Sequence, residues 1–321
     1  MGEDNPGHAF DLEEILMGWV RKDLENPNLS PEDREAGTQV LKNFMANDEW
    51  ATKIFKKVGI LLTSHPGNRA YLKGSVESHK KLGCWIALVY DNFLDPTRSD
   101  ITYDWVLPAR DVMDQVDTFI MPHHQTWGGV LYPYFWHLKW GITILQDFEY
   151  IYCANGDFIV EKPEGFPKLL EMMGDADIMS CGPVTDRSVN TAGFIGKASA
   201  LKKLVQHYQD HFVPFEAYEK YTQEFGNAEG RFFRAIKDLG LKQIIVDPPT
   251  DEQCGLPLKG TWYDVIGFRH IHAEHNKAYK YKGIPPDPKY FDPRFMGSEY
   301  ETIKKYYETK DMSLLENWWA K

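Results

Sequence analysis

The chain has 321 residues, 43% of them hydrophobic and 26% charged, with a formal net charge of −11. That is the composition of a folded globular protein, and the length suits one large domain with appendages or two small ones. The negative balance opposes a polyanion and excludes nucleic-acid binding through a basic face.

The N-terminal Met1-Gly2-Glu3-Asp4-Asn5-Pro6 is acidic and lacks an apolar signal core. No uncharged run reaches membrane-spanning length, so the expectation is a cytoplasmic protein without a membrane span. Residues 1–56 read as a helical preface. Leu12, Ile15, Leu16 and Val20 form one stripe, and Leu41, Phe44 and Met45 continue another after the Ser30-Pro31-Glu32-Asp33 start signal. A main domain spans 57–284. Residues 58–63 are a continuous apolar run, the mark of a parallel strand buried on both faces. A loop over 64–69 leads to a helix over 71–82 that ends at Gly83, and residues 85–90 form the next strand, running into Asp91-Asn92. A strand–helix–strand unit implies a right-handed crossover and a parallel sheet. A third strand is placed at 118–121. The aromatic segment 126–140 invites a sugar-stacking reading, but Leu131, Phe135, Leu138 and Ile142 recur at helical spacing and suit a core stripe. Trp127, beside two glycines, is kept as a ligand contact.

Residues 148–160 are the central stretch: an aromatic and β-branched run, then Asn155-Gly156-Asp157, then a second apolar run. The pattern is a buried strand that delivers one carboxylate to the open edge of a sheet, where ligands of α/β proteins collect. A hard oxygen donor there can hold a divalent cation against a diphosphate; taken alone, the same residues also fit a strand followed by an Asn-Gly turn. Further on come a short helix ending at Met173, a strand from Asp177, a Gly-bearing segment over 190–196 and a helix over 198–208. Asn227 is placed as the cap of a helix closed by Gly240, which puts Glu229 in its first turn, where a carboxylate is favoured without any functional role. A strand follows at 243–246, and the last strand is placed at 265–272, carrying His270-Ile271-His272-Ala273-Glu274-His275. The arm 285–321 is Pro- and aromatic-rich, then helical from Ser298, with Trp318-Trp319 expected to dock on the main domain. Cys84, Cys153, Cys181 and Cys254 stand far apart without a C-x-x-C pair, so buried free thiols are expected.

The order of these pieces resembles glycosyltransferases of the GT-A fold. The second strand ends in Asp91-Asn92. Lys139-Trp140-Gly141, Tyr150-Ile151 and Asn155-Gly156-Asp157 look like the helix and strand that lead to that fold's Asp-x-Asp metal motif. Thr191-Ala192-Gly193-Phe194 is similar to its acceptor loop, and Asn227-Ala228-Glu229-Gly230 to its x-Glu-Asp segment. Asn155 replaces the first aspartate, and Gly230 the second acid of x-Glu-Asp. The resemblance implies a mostly parallel, Rossmann-like sheet flanked by helices. It also implies a nucleotide-sugar donor, UDP-sugar favoured, and a glycan or other hydroxyl acceptor. Asp157 with His270 or His272 would ligate the metal, Mn²⁺ ahead of Mg²⁺ because imidazole suits it better. Thr63, His65, Arg69, Asp91, Lys139 and Asn155 would contact the donor, and Thr191, Gly193 and Trp127 the acceptor. Glu229 would be the general base of an inverting transfer.

Three rivals stand beside this. His270-x-His272-x-Glu274-His275 is close to the H-x-H-x-D-H zinc motif of metallo-β-lactamase-like hydrolases, although it comes late in the chain. A sugar-nucleotide nucleotidyltransferase would want a Gly-rich loop after the first strand, where 64–69 has one glycine. A nucleotide-sugar-binding protein that has lost activity would also fit the altered metal motif.

Overall fold

The computed structural model describes residues 57–90, 107–120, 131–181, 193–212, 228–246 and 261–320. The expectations for the helical preface 1–56 and for Asp91, Trp127, Thr191 and Cys254 lie outside them.

Nine strands and their helices alternate along the described chain. β1 (Val58–Ser64), α1 (Leu72–Lys80) and β2 (Trp85–Tyr90) form the expected crossover unit. Next come α2 (Leu107–Met113), β3 (Thr118–Ile120), α3 (Leu131–Ile144), β4 (Tyr150–Asn155), β5 (Phe158–Val160), α4 (Phe166–Met173) and β6 (Ile178–Ser180). The remainder of the main domain is β7 (Gly193–Lys197), α5 (Ala198–Phe212), α6 (Ala228–Asp238), β8 (Gln243–Ile245), α7 (Thr261–Ile266), β9 (Phe268–His270) and α8 (Ile271–Lys280). The arm supplies α9 (Pro293–Met296), α10 (Ser298–Thr309) and α11 (Met312–Trp319).

Seven strands make one sheet in the order β3-β2-β1-β4-β7-β6-β8. Only β7 runs against the rest: it is antiparallel to both β4 and β6, while every other neighbouring pair is parallel. The expected architecture, a mostly parallel sheet between helical layers with a helical C-terminal arm, is the one observed. All seven residues of β1 are buried because both sheet faces are covered. On one face Ile60, Leu62 and Tyr152 pack with Leu72 and Val76 of α1, Phe166 and Leu169 of α4 and Trp262 of α7. On the other, Leu61, Val89 and Cys153 pack with Leu138 and Ile142 of α3, Leu201 of α5 and Phe232 of α6. Gly83 and Gly240, expected to end helices, both have positive φ, 67° and 64°, as a left-handed helix stop requires.

Two expectations are corrected. Residues 190–196 contribute the antiparallel strand β7, whose glycines are demanded by packing: a Cβ on Gly193 would sit 2.5 Å from Phe268 Cζ, and one on Gly196 2.7 Å from Leu201 Cδ2. The single strand placed at 265–272 is three elements. α7 ends at Ile266, Gly267 turns the chain with φ 62°, and β9 lasts three residues before α8 begins at Ile271. Moreover, β9 joins no part of the large sheet but pairs antiparallel with β5. Glu274 in the first turn and Lys277 and Lys280 in the last complement the dipole of α8, which favours helix over strand there.

The arm docks as expected. Ile303, Tyr306, Leu315 and Trp318 are buried with Tyr71, Ile159 and Ile271 of the main domain. Its backbone is fastened where Asp292 N donates to Ala70 O at 2.8 Å. Cys84, Cys153 and Cys181 are buried thiols outside any disulfide, as expected. Among the described residues no helix is long and apolar enough to cross a membrane.

Candidate functional site

The site grows from the carboxyl ends of β1 and β4, which lie side by side with Thr63 opposite Asn155. Thr63 Oγ1 donates to Asn155 Oδ1 at 3.0 Å, and Gly156 N donates to Thr63 O at 2.7 Å. The chain passes so close to β1 here that a Cβ on Gly156 would lie 2.4 Å from Ser64 Oγ. Glycine is therefore required by close approach rather than by a left-handed turn. Asp157 follows, and the chain leaves the large sheet to form the β5–β9 ribbon.

The ribbon's register assembles the cluster. Phe158 pairs with His270, and Ile271 N donates to Asp157 O at 3.0 Å. Those two constraints put His270 Nε2 2.9 Å and His272 Nδ1 3.6 Å from Asp157 Oδ2. The Phe158 ring stacks on the His270 imidazole, centroids 4.2 Å apart, and fixes its plane. Asp157 has 7% of its side-chain surface exposed and His272 44%, so the cluster opens on the His272 side.

Burial by itself would push the Asp157 carboxyl up. Hydrogen bonding and charge from His270, then His272, outweigh it and hold the group ionised, well below the usual carboxylate range. Asp157 Oδ1 and His270 Nδ1 are buried without a hydrogen-bond partner among the described residues. A buried, ionised carboxylate with an orphaned oxygen is costly unless something else satisfies it. The ligand atoms of Asp157, His270 and His272 all lie within 4.8 Å of one another. One hard oxygen and two imidazoles suit a divalent transition ion, so the residues present fit the cation that the resemblance implies.

The other described residues singled out in the sequence are spread over separate elements. His65 precedes a short 3-10 turn, where its Nδ1 accepts from Gly67 N at 3.0 Å. Arg69 ends the same turn, its guanidinium 3.4 Å from Pro66 O. Lys139 lies mid-way along α3, and Gly193 is buried at the start of β7 opposite Ala154. Glu229 is the second residue of α6, and the cap expected at Asn227 lies outside the described residues. The zinc-hydrolase motif is taken apart: His270 and His272 face Asp157, Glu274 pairs with Arg269, and His275 turns towards Glu299. Its four side chains therefore do not converge on one ion, which overturns that alternative. Two flanking residues escaped sequence reasoning, Phe158 and Tyr71. Phe158 carried a signal, an aromatic directly after the acid, whereas Tyr71 carried none.

No family model matches the sequence, and no curated protein matches it at a significant level. Among solved structures, the chain is similar to 4-diphosphocytidyl-2C-methyl-D-erythritol synthase from Anaerococcus prevotii, at 13% identity and a TM-score of 0.37, over 63% of this chain and 91% of that one. It is also similar to a protein from Desulfovibrio desulfuricans assigned as a nucleotide-diphospho-sugar transferase, at 10% identity and a TM-score of 0.36, over 65% and 93% of the two chains. Likenesses this remote bear on neither activity nor substrate.

Proposed function

We propose that the chain is a metal-assisted glycosyltransferase that moves a sugar from a nucleoside-diphosphate donor, UDP-sugar favoured, to a hydroxyl acceptor such as a glycan. The observation that carries this reading is the meeting of Asp157 with His270 and His272 at the carboxyl edge of the central strand. Those three side chains would hold the cation, Mn²⁺ in preference to Mg²⁺ because two of the three donors are imidazoles. When bound, the cation supplies Lewis-acid neutralisation of the charge on the departing diphosphate.

The chain's own residues do the rest. Thr63 and Asn155, held together by their hydrogen bond, form the floor against which the donor lies, with His65, Arg69, Asp91 and Lys139 as further donor contacts. Thr191, Gly193 and Trp127 would border the acceptor. Glu229, in the first turn of α6, would accept the acceptor hydroxyl's proton as its oxygen bonds to the anomeric carbon and the bond to the diphosphate breaks. Attack opposite the leaving group inverts that carbon.

A thermal-shift screen of nucleotide sugars with and without Mn²⁺ tests the reading. A donor at one hundred times its Kd stabilises the native state by ~2.7 kcal/mol. The expected result is a metal-dependent rise with at least one nucleotide sugar that Asp157→Ala loses. No rise with any nucleotide sugar, or the same rise in Asp157→Ala, would refute it. Turnover of the hit by the wild-type protein separates an enzyme from a binding protein, and the products separate glycosyl from nucleotidyl transfer.

A further inference from the structure

The open side of the cluster leans on the C-terminal arm. Tyr71, the residue before α1, is buried, and its ring packs on the His272 imidazole with centroids 5.3 Å and planes 32° apart. The Tyr71 hydroxyl lies 3.4 Å from His275 Nδ1, and His275 Nε2 lies 3.4 Å from Glu299 Oε2 on α10. Phe291 meets both rings edge-on, 5.8 Å from Tyr71 and 5.3 Å from His275, and Trp318 of α11 lies 5.5 Å from His275. The Asp292 to Ala70 backbone bond fixes the arm one residue from Tyr71.

We propose that Tyr71 is a positioning residue for His272, and that the arm sets the metal affinity of the centre through Glu299, His275 and Tyr71 without touching the metal. The inference rests on the metal centre of the proposed function. His272 is the most exposed of the three ligands and has the most rotamer freedom to lose on coordination. A ring packed on its face removes much of that freedom beforehand, as residues outside the ligand set of metal sites commonly do. The two residues at the ends of the relay, Tyr71 and Glu299, are 228 positions apart, so the arm's docking is what completes it.

The test measures Mn²⁺ affinity by electron paramagnetic resonance titration, and the His272 imidazole by nitrogen-15 NMR in metal-free protein. Tyr71→Leu should weaken Mn²⁺ binding about tenfold and broaden the His272 signal. Tyr71→Phe, which keeps the ring but loses the hydroxyl link to His275, should lose no more than Glu299→Ala and keep the His272 signal sharp. Leu169→Ala, on the buried face of α4, should lower Tm and move neither readout. Glu299→Ala keeps the test open should Tyr71→Leu not fold, with a loss of about threefold expected. Wild-type affinity in Tyr71→Leu, or in Glu299→Ala if only that variant folds, overturns the inference. So does a loss in Leu169→Ala equal to that in Tyr71→Leu. A wild-type protein that binds no Mn²⁺ overturns the metal centre itself, and this inference with it.

Discussion

His79 gives the fold a measurable acid weakness. It sits in α1, wholly buried, with Nδ1 2.8 Å from Ser75 O and Nε2 3.3 Å from the Tyr152 hydroxyl. The carbonyl can only accept, so Nδ1 carries the proton and Nε2 accepts from Tyr152; the ring is a neutral imidazole with both nitrogens paired. Burial pushes its pKa down from 6.5 to about 4, with the Ser75 bond opposing that shift. Because the folded value is the lower one, the unfolded chain takes up the proton first as the solution is acidified. The contribution is complete above about pH 7 and is lost as pH falls from 6.5 towards 4. Linkage between those two values gives a loss of about 2 kcal/mol between pH 7.5 and pH 5. Carboxylates elsewhere add their own slopes, so the measurement is a difference. Urea unfolding is followed at both pH values for the wild type and for His79→Leu combined with Tyr152→Phe, which removes both hydrogen-bonding partners together. Ser75 O keeps the Ser78 hydroxyl at 2.8 Å, so the double variant leaves no new orphan there. The wild type should lose about 2 kcal/mol more than the variant on acidification. Equal losses, or a larger loss in the variant, would refute the neutral-histidine argument.

Glu229→Gln should lower turnover by ~10²–10⁴-fold and leave nucleotide-sugar affinity nearly unchanged; equal loss of both would move Glu229 into the binding set. Gly165→Ala places a Cβ 1.7 Å from Val265 O, a backbone atom that cannot swing aside, so a loss of at least about 3 kcal/mol is expected in calorimetry, and a wild-type Tm would contradict that packing. Arg269 bridges Glu161, at 2.9 Å, and Glu274, and Tyr290 donates to the same Glu161. Arg269→Met strands two carboxylates at a site one-fifth exposed, for an expected cost of about 2 kcal/mol in urea unfolding. Wild-type stability in that variant would contradict the pairing.

What could be read in the sequence follows from how each element is buried. β1 and β2 are doubly covered and therefore written as unbroken apolar runs, which made them and the crossover helix between them legible. β7 was not legible as a strand, because Gly193 and Gly196 answer to Phe268 and Leu201, neighbours the local sequence does not name. Residues 261–266 form a helix although Thr, Trp, Tyr, Val and Ile favour strands; Trp262 and Ile266 are drawn to the core one turn apart, and burial overrides propensity. At the site, Asp157 with His270 or His272 could be named, but not that both imidazoles would face the carboxylate while His275 turns away. That arrangement is set by the β5–β9 register and by the start of α8 at Ile271, which turns His275 into the aromatic contacts of the arm.

The two-stranded ribbon has a consequence for synthesis. Asp157 and His270 are 113 positions apart and are brought together by a pairing of three residues with three. A nascent chain leaving the ribosome exposes its acidic corner while the stretch bearing both imidazoles is still untranslated. Chains released between residues 246 and 268 would own all seven strands of the sheet and yet lack both imidazoles of the proposed metal centre. On the proposed function, such a chain would show no Mn²⁺ binding in a titration, although its large sheet is complete.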